Sequence, residues 1–487
     1  MHLLTTRWLI KLLLFWGIIS ATFAQSLHLP HIFSDHMVLQ RQTPLPIWGE
    51  AKPGSQLEVR LANQHRRTQA DSAGHWRILL DPLPAGGPYQ LLVKAGQEHV
   101  RFVDVLIGDV WLAAGQSNMQ FELRRTQNGV QQTQSAQFPS IRLYTVPREV
   151  SYHPEPDQGG SWSTCTPATA ADFSGVAYYF GKQLHQEKNV PIGLINVSWG
   201  GTPIEAYLSW EANKTLPYHR KVVEALERKP LIERYVIDRR KTTPQVPSSL
   251  FNAMINPLIP FALKGFLYYQ GEHNWNHPFR YREQLAALVT DWRIRWQQGP
   301  LPFLVVQLPA NGAQQNQPSE HFWPVLRESQ RQILHYPNTA LAVAIDLGDP
   351  ADLHPIRKQE VGERLALAAN HLAYGRAGVY SGPVFDSLRL EQQQLRLFFS
   401  QIGMGLTSLN GEPLKGFAVA GEDKTFHWAV ARIEGSQVVV SSEAVPHPVA
   451  VRYGWAASPT CNLYNREGLP ASPFRSDEWA LKPDGSW

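Results

Sequence analysis

The chain predicts an α/β protein whose largely parallel sheet is flanked at both ends by all-β regions. Three observations carry this reading. Over 103–375, apolar runs alternate with amphipathic stretches, the rhythm of a parallel sheet covered by helices on both faces. On either side the pattern changes to short period-two runs divided by Gly and Pro. With 487 residues, the chain also exceeds what one hydrophobic core ordinarily organises, so two or three domains are expected.

Taken in order, 1–24 reads as a secretory signal: Arg7 and Lys11, an apolar run over 12–19, then small residues up to Ala24, where cleavage is expected. That run is too short to span a bilayer comfortably, and no later stretch reaches the roughly 18 uninterrupted apolar residues a span needs. The expectation is an exported protein, periplasmic or secreted, with no membrane contact after cleavage. Loss of Arg7 and Lys11 leaves 43 Lys+Arg against 41 Asp+Glu. So near-even a balance gives no basic field for nucleic acid. Export permits a long-range disulfide between Cys165 and Cys461, the only two cysteines; the alternative is a pair of buried thiols.

Residues 25–102 predict a β-sandwich, with strands around 57–61, 76–79 and 89–93 and turns at Lys52-Pro53-Gly54 and 84–88. The α/β unit is expected over 103–380. Its strands are placed at 103–114, 192–197, 264–269, 302–308 and 339–345, each rich in β-branched or aromatic residues. Ser174 caps a helix carrying Val176, Phe180 and Leu184 on one face. Tyr281, Leu285, Leu288, Trp292 and Trp296 mark a second helix, 325–334 a third, and Val361, Leu365, Ala368 and Leu372 a fourth. The charged segment 207–249 predicts a helical insertion. Over 381–487 period-two alternation returns, at 395–399, 417–419 and 438–440, and predicts an all-β tail.

The chemistry is sought where strands end, because open α/β sheets bind ligands outside the carboxyl ends of their strands. Trp111-Leu112-Ala113-Ala114-Gly115-Gln116-Ser117-Asn118-Met119 empties an apolar strand into a turn with one hydroxyl, making Ser117 the candidate nucleophile. The competing reading is a serine that caps the next helix. Met119 stands where a G-x-S-x-G elbow has its second glycine, so this is not the α/β-hydrolase turn. A serine hydroxyl needs a base at neutral pH. His354 lies between the last strand and last helix of the α/β region, on the edge shared with Ser117, and Asp352 and Asp349 are close enough in sequence to orient its ring. Donors for a developing oxyanion are offered by the Gly200-Gly201 pair and by the side-chain amides of Gln270 and Asn274.

Together, Gly115-Gln116-Ser117-Asn118-Met119, Asn196-Val197-Ser198-Trp199-Gly200-Gly201-Thr202, Tyr269-Gln270-Gly271-Glu272 and Asp352-Leu353-His354-Pro355 resemble the sequence blocks of sialate O-acetylesterases, a branch of the SGNH hydrolases. The likeness extends to 33–40 near the start and to 451–455 and 462–465 near the end. It implies a flavodoxin-like SGNH esterase domain over 103–380 that removes O-acetyl groups from sugars through an acetyl-enzyme, without metal or organic cofactor. By motif position Ser117 is the nucleophile, and His354 is the base and then the acid. The amides of Ser117 and Gly201 and the side chain of Gln270 form the oxyanion hole. SGNH hydrolases commonly place their acid three residues before the histidine, where this chain has Ala351. Asp352 is taken instead, with Asp349 second and a Ser–His dyad third. Gln116, Asn118, Trp199, Glu272 and Asn274 are expected to line the substrate pocket.

O-acetylated sialic acid is the expected substrate, and acetylated plant polysaccharide of the acetylxylan type is the alternative within the same chemistry. A non-catalytic sugar-binding protein is the reading from another class, suggested by 16 Trp and β-rich ends. A glycosidase would rely on paired carboxylates such as Glu205 and Glu272 and would not need Ser117. Metal ligation has one local candidate, 272–277, where Pro278 and the polar residues argue for a loop and not a helix holding two histidines.

Overall fold

The computed structural model describes residues 26–228, 244–315 and 317–486; the expected signal over 1–24 lies outside them. The central sheet is built on one 18-residue strand, Glu98–Gly115. Its carboxyl half pairs in parallel with Ile192–Ser198 on one side and Gly265–Tyr269 on the other. Beyond Gly265–Tyr269 come Phe303–Val306 and Thr339–Ala342, both parallel. Beyond Ile192–Ser198 come Phe138–Thr145, parallel, and the antiparallel edge strand Trp162–Cys165. These last two strands were not foreseen, because Phe138–Thr145 mixes Pro, Ser and Arg into its run.

Helices cover both faces, as period-two geometry requires of a fully buried sheet. On one face Trp292 of the Arg280–Trp296 helix packs on Phe266 and Phe303 at ring separations of 5.3 and 5.8 Å. On the other, Phe180 of the Gly175–Lys188 helix meets Trp111 at 5.0 Å, and Lys358–Leu372 packs alongside. Ser174 caps Gly175–Lys188 as expected, its Oγ accepting from the Ala177 N–H at 3.2 Å.

Before the central sheet, Leu45–Glu50 pairs with His75–Leu80, while Gln56–Leu61, Gln64–Gln69 and Gly86–Ala95 form a sheet that runs into the amino half of Glu98–Gly115. The strand expected to begin at 103 thus begins at Glu98 and belongs to two sheets. One continuous apolar core follows from this, reaching from Leu27 through Leu91 and Trp111 to Ala369. Within the expected insertion, Trp210–Thr215 and Pro217–Glu227 are helical, and 229–243 lies outside the described residues.

The carboxyl region forms two four-stranded antiparallel sheets around a separate core that includes Leu397, Val419, Val438, Val451 and Phe474. Arg327, fully buried, fastens it to the α/β unit by donating to the carbonyls of Leu308, Pro309, Ala456 and Ala457 at 2.7–2.9 Å. Cys165 and Cys461 are free thiols, the alternative to the permitted disulfide. Burial pushes both up to about 12. Among the described residues no helix is long and apolar enough to cross a membrane, and no group of three or more His, Cys, Asp or Glu is placed to hold a metal ion.

Candidate active site

The turn after Glu98–Gly115 is shaped by Gly115. Its φ is +140°, and a Cβ there would stand 2.1 Å from the Tyr269 carbonyl, so only glycine lets the neighbouring strands close up. Ser117 then opens the short helix Ser117–Gln120, whose N-cap is Gln116 and has no side-chain cap bond. The capping reading of Ser117 is therefore set aside. Its Oγ instead lies 2.8 Å from Nε2 of His354, a residue 237 positions later in the chain. Both side chains are half-buried.

His354 arrives on the loop between Thr339–Ala342 and Lys358–Leu372. The Phe121 ring lies nearly parallel to the imidazole, 20° between planes and 6.5 Å between centroids. For Nε2 to accept a proton from Ser117, the ring proton must sit on Nδ1. Nδ1 faces Asp352 Oδ1 at 3.6 Å, within ion-pair reach but beyond a hydrogen bond. The same Oδ1 accepts the His354 backbone N–H at 2.8 Å, so Asp352 also shapes the turn. Asp349 is spent on the Ala351 N–H and does not approach the ring. Burial lowers the His354 pKa below its ordinary 6.5; Asp352 opposes this, while Lys358 and Arg125 add to it.

The glycine pair after Ile192–Ser198 lies against the nucleophile. A Cβ on Gly200 would come within 3.2 Å of Ser117 Cβ, and the Gly200 N–H donates to Gln120 Oε1 at 2.7 Å. Gly201 is left-handed at φ +71°, and the space a Cβ would take there is open. Tyr207 donates its hydroxyl to the Gly115 carbonyl from below, bracing the turn.

Several expected site residues turn away from this opening. Gln270 is fully buried, and its Nε2 is taken by Asn274 Oδ1, the Thr202 carbonyl and Gln116 Oε1 at 2.8–3.2 Å. An amide with two N–H donors and three acceptors around it has none to offer an oxyanion. Gln270 therefore ties three strand-end loops together in place of its expected donor role. Gln116 is buried too and accepts from the His273 N–H at 3.2 Å. Asn274 donates to Glu205 and accepts from the Ile204 N–H. Asn118 donates to Glu272 Oε1 and to the Leu353 carbonyl, at 2.5 and 3.0 Å. Of the five expected pocket residues, Gln116, Asn118, Glu272 and Asn274 thus form the floor beneath the site, and only Trp199 stays half-exposed. The reason is local: an apolar strand end leaves backbone and amide groups that must find partners once buried.

Three residues near the pair escaped the sequence reading. Phe121 follows Ser117 by one helical turn and looks like ordinary core. Arg125 is exposed, with its guanidinium 4.8 Å from the Phe121 ring centroid. Lys358 is fully buried although it opens a helix, where a lysine is ordinarily solvated.

Comparison with known proteins bears on this arrangement. Residues 107–371 match the family model for carbohydrate esterases described as sialic acid-specific acetylesterases. The sialate O-acetylesterase of Pongo abelii is 31% identical over 498 residues, covering 91% of each chain, and that of Homo sapiens is 30% identical over 504 residues at the same coverage. A crystal structure of a carbohydrate acetylesterase from Xanthomonas citri superposes with a TM-score of 0.85 at 40% identity, covering 93% of this chain and all of that one. The matched span holds Ser117, Gly201 and His354, and the chain belongs to the sialic acid-specific acetylesterase family of carbohydrate esterases.

Proposed function

We propose that this esterase removes O-acetyl groups from sialic acids through an acetyl-enzyme formed on Ser117, within a domain of flavodoxin-like SGNH type. One observation carries the reading: the 2.8 Å contact between Ser117 Oγ and His354 Nε2 at the carboxyl edge of a parallel sheet. In the first half-reaction Oγ bonds to the acetyl carbonyl carbon while Nε2 takes its proton. The tetrahedral oxyanion faces the backbone N–H of Ser117 and that of Gly201. When the ester C–O bond breaks, the imidazolium returns the proton to the departing sugar oxygen. Water then enters, loses a proton to Nε2, and releases acetate and free Ser117. Asp352, facing Nδ1, stabilises the imidazolium formed in each half. The pattern over 1–24 supports export as the protein's destination.

Arg125 supports a carboxylate-bearing sugar, since an exposed guanidinium stands beside the His354–Phe121 pair and can grip a carboxylate bidentately. The second reading is an acetylated neutral polysaccharide, which is equally compatible with the 40% identity to the Xanthomonas citri carbohydrate acetylesterase. Acetate release from O-acetylated sialic acid and from acetylxylan, by wild type and Arg125→Ala, separates them. The sialic reading expects the sialic substrate to be preferred and Arg125→Ala to lower its kcat/KM by about tenfold, leaving acetylxylan unaffected. Preference for acetylxylan, with Arg125→Ala neutral on both, establishes the second reading.

A further inference from the structure

Beneath the Ser117–His354 pair lies a buried ammonium that the hydrolytic cycle does not use. Lys358 is fully buried at the start of the Lys358–Leu372 helix, and its Nζ donates to Asn118 Oδ1. The other faces of the ammonium meet two aromatic rings, Phe121 at 5.1 Å and Tyr269 at 5.4 Å. The Asn118 amide passes this contact on in two directions, to Glu272 Oε1 and to the carbonyl of Leu353. Asn118 is the residue after Ser117, and Leu353 is the residue before His354. A single side-chain amide thus joins the immediate neighbours of nucleophile and base, and Lys358 fixes the oxygen of that amide.

We propose that Lys358 is a positioning residue, which orients Asn118 so that the Ser117 turn and the His354 loop keep the separation proton transfer needs. A buried cation that served stability alone would be expected directly against its anion. Here Glu272 and Lys358 are instead held apart by a neutral amide, and Glu272 Oε2 has no hydrogen-bond partner. That spacing gives the amide a fixed orientation: its oxygen must face the ammonium and its N–H groups must face Glu272 and Leu353. Burial works against both charges, lowering Lys358 to about 7 and raising Glu272, while each draws the other back. Asp352 also favours the charged form of Lys358. The charged groups acting on His354 are Asp352, Lys358 and Arg125, so removing the ammonium takes away one of two cations that disfavour imidazolium.

The inference rests on Ser117 and His354 being the reacting pair, so aryl acetate hydrolysis by wild type and Ser117→Ala is measured first; activity surviving in Ser117→Ala rejects the pair and not Lys358 specifically. With the pair established, Lys358→Met in the full chain is expected to lower kcat by about 100-fold with little change in KM, as for a small displacement of a reacting group. The acid limb of kcat/KM should also move to higher pH. Loss of a purely structural contact does not predict that shift. Because Lys358 acts through Asn118, the Lys358→Met/Asn118→Leu double variant should lose little more than the worse single variant. Should Lys358→Met fail to fold, Lys358→Met/Glu272→Leu removes both buried charges together and carries the same kcat and pH readouts. An unmoved acid limb with unchanged kcat in a folded variant, or losses that multiply in the double variant, overturns the proposal.

Discussion

The middle and the carboxyl end of the Glu98–Gly115 strand use buried charge in opposite ways. At the middle of the strand, Asp109 is fully buried and fully partnered: Arg41 donates twice at 2.9 Å, Tyr374 at 2.9 Å and Gln40 at 3.2 Å. Asp104 is likewise held by Arg142 and His36. At the carboxyl end Glu272 and Lys358 are separated by an amide, a carboxylate oxygen is left without a partner, and a hydroxyl and an imidazole reach toward solvent. Direct, saturated pairing marks where the strand is fastened. Indirect, partly saturated polarity marks where it works, consistent with perturbed ionisable groups gathering at functional sites.

Each region can be broken separately. The largest expected effect is on chemistry at the carboxyl end: Ser117→Ala should lower kcat by about 10⁶-fold, with a melting temperature close to wild type. Initial rates on an aryl acetate together with thermal unfolding check both parts. Next comes Arg41→Met at the middle of the strand, which strands the Asp109 carboxylate and should cost about 3 kcal/mol of stability, read by denaturant unfolding, while the folded fraction keeps its kcat/KM. If Arg41→Met reduces the kcat of folded enzyme, the contrast between the two regions fails. Smaller again is Asp352→Asn, which keeps the acceptor for the His354 N–H but removes the charge. An exposed carboxylate 3.6 Å from Nδ1 is worth up to about 1 kcal/mol, so kcat/KM should fall about fivefold. Asp349→Asn should leave it unchanged.

The smallest effect is in the pH profile. Neutral imidazole is the form able to accept the serine proton, and burial of His354, the largest influence on its ring, favours that form against the opposing pull of Asp352, with Lys358 and Arg125 adding to burial. Lowering the pKa carries the working state to lower pH, so kcat/KM should reach half its plateau below the ordinary histidine value of 6.5. A midpoint above 6.5 contradicts the described surroundings of the ring.

Much of this was legible in the chain. Alternation of strand and helix located the sheet, and the rule that chemistry gathers at strand ends selected Ser117 and His354, which meet across 237 positions. What the sequence left open is which way a polar side chain turns once its strand has ended. Gln116, Asn118, Glu272 and Asn274 have the composition of a pocket lining, yet in the folded chain they satisfy one another and the strand-end backbone. Gln270 is the same case: an amide beside a nucleophile suggests an oxyanion donor until its neighbours are seen to occupy it. Burial of Lys358 had no local signal, because it depends on Phe121 and Tyr269 arriving from two other segments. The continuity of Glu98–Gly115 through two sheets was hidden for a similar reason, since period-two pairing and a fully buried run are each read as a separate strand.

The proposed mechanism requires that Ser117 becomes covalently acetylated during turnover. Rapid quenching of the enzyme with an aryl acetate, followed by mass spectrometry of the peptide that contains Ser117, tests it most directly. An acetyl group on Ser117 is expected in wild type, accumulating where deacetylation is slow, and none in Ser117→Ala. Sustained acetate release by a Ser117→Ala enzyme, with the acetyl group found on another residue or on none, would contradict it.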